Sequence, residues 1–176
     1  MKNHNIKHFF TLMTILALSV CACNSDPEVK AAKDLAQRVI PKHSSHIKFV
    51  HLEDSTDCFT LESKGDKIVI GGNNANSMAF GLNYYLKNYC LTTVSWNVAD
   101  PLYMPEKLPS VPAKISHEAK AKDRFFLNYC TYGYTMPWWG WKEWSWMIDW
   151  MALNGVTQPL NITGEEAVMM KVWEHF

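Results

Sequence analysis

Six of the eight tryptophans of this 176-residue chain, at positions 138, 139, 141, 144, 146 and 150, fall within thirteen residues. Their spacing is helical. Trp141, Trp144, Ile148 and Ala152 mark one side of a helix running from Trp138 to about Asn154, and Trp139, Trp146, Trp150 and Leu153 mark another. Lys142, Ser145 and Asp149 form the main polar stripe, with Glu143 beside it. A helix apolar on nearly every face must be covered on nearly every face. The spacing therefore predicts strands on its inner side, a further layer outside, and packing roles for most of the rings. Sugar stacking is reserved for a ring at the loop end, such as Trp138.

Charge narrows the function classes. Seventeen basic side chains balance seventeen acidic ones, and no basic patch accumulates. The electrostatic footprint of a nucleic-acid binder is therefore absent. A neutral, aromatic-rich chain suits an uncharged or mixed ligand better than a polyanion.

Residues 1–23 read as a targeting segment. Lys2 and Lys7 precede an apolar stretch from Phe9 to Val20, shorter than the ~20 residues that span a bilayer. It fits a cleaved signal peptide. Val20-Cys21-Ala22-Cys23 places a small residue before a cysteine, as in a bacterial lipoprotein box, and Cys23 fits the lipid anchor better than Cys21 because Val20 is bulky. The expectation is an exported lipoprotein, held by its membrane anchor in the periplasm or at the cell surface. Ordinary secretion and an uncleaved anchor are the alternatives.

Three cysteines remain downstream, Cys58, Cys90 and Cys130. An odd count in an exported chain leaves at least one free thiol. A Cys58–Cys90 bridge is conceivable, but buried unpaired thiols are the favoured reading. His43, His46 and His51 come nearest to a metal spacing, yet nothing completes a ligand set, and no metal site is expected.

Residues 24–100 read as a small α/β domain. Ser25-Asp26-Pro27 starts a helix through a capping side chain and an early proline, and Pro41 ends it. Strands are predicted at Ile47–Leu52, Cys58–Glu62 and Lys67–Ile70, then at Leu91–Trp96. Between them, Gly71-Gly72-Asn73-Asn74 caps a helix to about Tyr89, with Met78, Leu82, Tyr85, Leu86 and Tyr89 on its buried stripe. A glycine-rich turn before a helix can bind phosphate. This one matches no phosphate-loop pattern, so a plain cap is favoured.

Four prolines space residues 101–123, which read as a Pro/Lys-rich linker, with Ala113 to Asp123 solvated. The chain then restarts: strand Arg124–Cys130, loop Thr131–Pro137, the tryptophan helix ended by Gly155, strand Val156–Asn161, and a helix capped by Thr163. Two such units imply parallel strands. Two units alone leave open whether the sheet is flat or closed.

A family resemblance closes that choice. Asn128-x-Cys130-Thr131, Tyr134, Trp138-Trp139-x-Trp141 and the unbroken octet from Ile148 to Gly155 closely resemble the α-N-acetylglucosaminidases, glycoside hydrolase family 89, which include the lysosomal enzyme of heparan sulfate breakdown. Gly164-x-Glu166-Ala167 also fits, and residues 27–112 bear a weaker likeness to that family's small N-terminal domain. The resemblance implies a small N-terminal α/β domain followed by the first two βα units of a truncated (β/α)8-type barrel, occupying residues 124–176.

It further implies an exo-acting, retaining hydrolase that releases terminal α-linked N-acetylglucosamine from glycans, without metal or organic cofactor. Asn128, Cys130 and Tyr134 would line the sugar pocket at the carboxyl end of the first strand. The plainer alternative is that they only fix the first loop. Retaining enzymes need two carboxyl groups roughly 5–5.5 Å apart, and the family's pair is expected beyond residue 176. Glu165 and Glu166 are no substitute, because adjacent helical positions point apart. These residues are therefore expected to contain no catalytic group and to be inert by themselves. A non-catalytic, lipid-anchored glycan-binding protein is the alternative function.

Overall fold

A computed structural model describes residues 26–98, 102–126, 130–134, 136–160 and 165–176. Helix α1 (Pro27–Val39) begins where the Asp26 carboxylate accepts the amides of Glu28 and Val29. Its buried positions are Ala32, Leu35, Ala36 and Val39. A short 3-10 turn at Ser44–His46 leads into β1 (Ile47–His51), followed by β2 (Cys58–Lys64) and β3 (Lys67–Gly72). The two-residue turn between β2 and β3 places Gly65 at φ +61°, a conformation that favours glycine.

The sheet order is β1-β3-β2-β4, with β1 parallel to β3 and the remaining pairs antiparallel. Ile47, Phe49, Phe59, Leu61, Ile68 and Ile70 are all buried, and the register places them on one face. Onto that face pack α1 and α2 (Ala75–Asn88), the latter through Met78, Leu82, Tyr85 and Leu86. Burying a side chain of this size stabilises by about 1.5–3 kcal/mol, so this interface is the core. Gly81 permits the close approach: a Cβ there would lie 2.8 Å from Ile70 Cγ2 and 3.1 Å from Phe59 Cδ2.

Two segments depart from expectation. The fourth strand is β4 (Ile115–Glu118), paired to the edge of β2 within the stretch read as a solvated connection. Residues 91–96, predicted as a strand, join no sheet and contribute only an isolated Ser95–Val98 bridge. Leu91 turns the chain away at φ 53°, Val94 enters the core, and the Ser95 carbonyl accepts the indole N–H of Trp146 at 2.8 Å. This apolar run lines the neighbouring helix instead of pairing. The proline segment also packs: Pro109 O accepts the Tyr85 hydroxyl at 2.7 Å, and the Val111 amide donates to Ser63 Oγ at 2.8 Å.

The second part contains β5 (Phe125–Phe126), α3 (Cys130–Tyr134), α4 (Trp141–Leu153), β6 (Gln158–Pro159) and α5 (Glu165–Trp173). β5 and β6 are parallel, as a strand-helix-strand unit requires. Among the described residues these strands cover part of the predicted spans, and Cys130, predicted to end the first strand, instead opens a helical turn that extends into the segment read as a loop. Helix α4 starts at Trp141 rather than Trp138; Gly140 is its cap residue and donates its amide to Glu143 Oε2 at 2.9 Å. It ends at Gly155, φ +70°. The Thr163 cap lies outside the described residues.

The faces of α4 also sort differently. Met147 and Leu153 are buried and Trp146 and Trp150 pack on the core, whereas Trp141 and Ile148 are exposed. Asp149, read as part of a polar stripe, is only 5% exposed. Among the described residues, no helix is long and apolar enough to cross a membrane.

Candidate functional site

The carboxyl end of β5 leads toward α3, where Cys130 and Tyr134 stand four residues apart in one helical turn. That spacing places both on one face of the turn. Both are exposed, Tyr134 at 82%. Asn128, the third predicted sugar contact, and Cys23, the predicted anchor, lie outside the described residues.

The turn after α3 is anchored from below. Met136 is buried and its carbonyl accepts the Trp139 amide. Trp139 meets Trp144 edge-on with centroids 5.2 Å apart and touches Trp96 at 6.1 Å. Trp138, between them in sequence, projects 89% exposed. Trp138 follows Tyr134 by four residues in sequence; an uncovered indole can stack on the apolar face of a sugar, and an exposed phenol can donate to its hydroxyls. Glu165 and Glu166 are exposed in the first turn of α5.

The amino ends of the strands are built differently. Arg124 Nη2 pairs with Asp57 Oδ2 at 2.6 Å, and its other nitrogens donate to the carbonyls of Ala121 and Gly155. The hydrogen bond from Arg124 holds the Asp57 carboxyl below its ordinary range. Beside this pair lies a cavity of about 450 Å³, walled by Phe59, Phe80, Tyr84 and His117. In barrels the chemistry sits at the carboxyl ends and the amino ends serve stability, so the cavity is not the candidate site.

The glycine-rich turn before α2 is a cap, as its sequence favoured. Asn74 Oδ1 accepts the Ser77 amide at 2.8 Å, and the Glu28 carboxylate accepts the Ala75 amide at 2.6 Å. A side chain of α1 thus occupies the position that an anion would take. Cys58, Cys90 and Cys130 are free thiols; burial raises the first two, which weakens them as nucleophiles. Of the three, only Cys90 is fully buried, so the buried-thiol reading holds for one. His43 precedes the 3-10 turn and His46 is its last residue, while His51 contacts Asp26.

Residues that sequence reasoning missed are those joining the two parts. Arg38 of α1 grips Asp149 of α4 through two contacts, Nε to Oδ2 at 2.7 Å and Nη2 to Oδ1 at 2.6 Å. Asn83 Nδ2 donates to the Leu153 carbonyl at 2.7 Å, and Asn76 Nδ2 to the Val156 carbonyl at 2.7 Å. The only sequence signal was an acid inside an apolar run, Ile148-Asp149-Trp150.

Comparison with known proteins agrees with this two-part architecture. Residues 30–110 match a family model described as the alpha-N-acetylglucosaminidase (NAGLU) N-terminal domain, and residues 124–176 match that of the NAGLU tim-barrel domain. Human alpha-N-acetylglucosaminidase is 34% identical over 118 residues, which is 66% of this chain and 16% of that protein. A family 89 glycoside hydrolase from Clostridium perfringens, solved with 2-acetamido-1,2-dideoxynojirmycin, is 36% identical with a TM-score of 0.76 over 87% of this chain. The same bacterial enzyme with two glutamates replaced, holding its substrate GlcNAc-alpha-1,4-galactose, gives 35% and 0.76. The chain spans 16% and 18% of the lengths of these relatives.

Proposed function

The chain carries the N-terminal domain and the start of the TIM-barrel domain of the alpha-N-acetylglucosaminidase family, and from that premise we propose that it is the amino-terminal part of an exo-acting, retaining glycoside hydrolase. Its substrate would be a glycan ending in α-linked N-acetylglucosamine. One observation supports the reading: Cys130, Tyr134 and Trp138, within nine residues that follow the first barrel strand in sequence, are all exposed, Tyr134 and Trp138 strongly so. Asn128 would complete the sugar contacts just upstream. In this role Tyr134 and Trp138 bind and orient the sugar, while Cys130 forms a small, weakly polar wall.

The catalytic carboxyl pair belongs to later barrel strands in this proposal. Glu165 and Glu166 are neighbours on an exposed helix and cannot face each other across a sugar. The decisive experiment sequences the gene beyond codon 176 and assays its full product on a chromogenic α-N-acetylglucosaminide. Several hundred further codons and hydrolysis with retained configuration are expected. A stop codon just after Phe176 would sink the reading.

A second reading, a glycan-binding protein without catalysis, is favoured by the exposure of Trp138 and Tyr134. Calorimetric titration of the 176-residue chain with N-acetylglucosamine tests it, and no heat at millimolar sugar rejects it. Both readings place the protein outside the cytoplasm, acylated at Cys23. Labelling with radioactive palmitate in a bacterial host, lost in Cys23→Ala, is the expected result.

A further inference from the structure

Helix α4 is held to the N-terminal domain at three levels. Near its start, Trp146 donates to Ser95 O, and Trp96 touches Trp139. Near its end, Asn83 and Asn76 take the carbonyls of Leu153 and Val156. Between these stands the two-point pair of Arg38 and Asp149. We propose that Arg38 and Asp149 are positioning residues that fix the register of α4 on the N-terminal domain and, through the Trp139–Gly140 turn, the place of Cys130 and Tyr134.

The chemistry supports positioning rather than bulk stability. The Asp149 side chain is 7% exposed and that of Arg38 is 53% exposed. A buried carboxylate is costly unless paired, and a forked guanidinium satisfies it in one geometry. Apolar contacts such as those of Met147, Trp150 and Leu153 are non-directional and discriminate between registers less sharply than a two-point charge pair. The charge pair does not tolerate sliding: a slip of one turn, about 5.4 Å, leaves both partners unmatched. A single buried polar contact between apolar surfaces can select one register, as a core asparagine does in coiled coils.

The effect on sugar binding rests on the functional reading above; the register itself does not. The test uses hydrogen exchange and the indole N–H signal of Trp146 in the full 176-residue chain. In Arg38→Met, amide exchange over residues 130–155 is expected to accelerate at least about tenfold while strands 47–72 keep their protection. The double variant Arg38→Met/Asp149→Leu removes the buried charge, and is expected to melt within a few degrees of wild type. Its Trp146 indole signal should nevertheless shift or split, because the hydrogen bonds to Ser95, Asn83 and Asn76 then hold the helix without the charge pair that fixes its register. An unshifted single signal in the double variant overturns the proposal. So does equal loss of protection in strands 47–72 of Arg38→Met, which would make the pair part of the general core. A separate titration with 2-acetamido-1,2-dideoxynojirmycin reads the sugar site: absence of binding in wild type counts against that site and leaves the exchange result standing.

Discussion

Asn83, inside α2 and 2% exposed, donates its side-chain amide to the carbonyl of Leu153, the last residue of α4, at 2.7 Å. The last carbonyls of any helix lack partners within it. Here one such carbonyl is satisfied by the other domain, seventy residues away in sequence. Replacing Asn83 by leucine leaves that carbonyl buried and unpaired, which costs about 1–3 kcal/mol. Urea unfolding of Asn83→Leu should register the loss, and an unchanged midpoint would show that the carbonyl finds another donor.

Gly81 sits in the middle of α2, where alanine ordinarily stabilises a helix by about 1 kcal/mol. The Ile70 and Phe59 side chains leave no room for a Cβ. Overpacking of this kind costs about 1–3 kcal/mol, so Gly81→Ala should lower the melting temperature. A rise would mean that the helix lifts from the sheet without penalty.

Asp57 titrates below its ordinary range in the fold because Arg124 hydrogen-bonds it. An unfolded aspartate protonates near ~3.9, so the pair's contribution is complete above that value and is lost as pH falls through the lower folded pKa. Asp57→Asn should be less stable than wild type at neutral pH and should lose stability less steeply on acidification. Parallel acid slopes in the two proteins would argue against the pair.

The three described thiols should separate by accessibility. Cys130 is exposed, Cys58 half-buried and Cys90 buried beside Tyr85, with burial raising the last two. Maleimide labelling followed by peptide mapping should modify Cys130 in the native chain and Cys90 only after unfolding. Rapid native labelling of Cys90 would contradict the packing of α2.

Residues 113–176 expressed without the N-terminal domain should be poorly soluble. They lose the partners of Asp149, Trp146 and the Leu153 carbonyl, and they keep Trp138, Trp141 and Trp173 exposed. Open strand edges and exposed apolar patches of this kind aggregate. A soluble monomer that melts cooperatively would contradict both the domain dependence and the partial-barrel reading.

The local signals in this chain were legible, and the long-range ones were not. Asp26-Pro27, Asn74 and Gly155 mark helix ends by their own chemistry, and the structure places those ends there. β4 escaped notice because Ile115 is its only apolar residue and its pairing partner lies more than fifty residues earlier. Leu91–Trp96 carries the composition of a strand, but the sheet has no place for it, and the run serves α4 instead. Asp149 read only as part of a polar stripe because its partner, Arg38, is 111 residues distant. For the candidate site, the sequence indicated Asn128, Cys130 and Tyr134 and reserved sugar stacking for a loop-end ring such as Trp138; Asn128 lies outside the described residues, and the degree of exposure of Trp138 required coordinates.

The octet from Ile148 to Gly155, by which the family is recognised in this chain, forms the outer half of a domain junction. A gene recovered by that octet is thereby identified by ancestry and assembly, and its carboxyl pair must be found separately before hydrolysis is claimed for it.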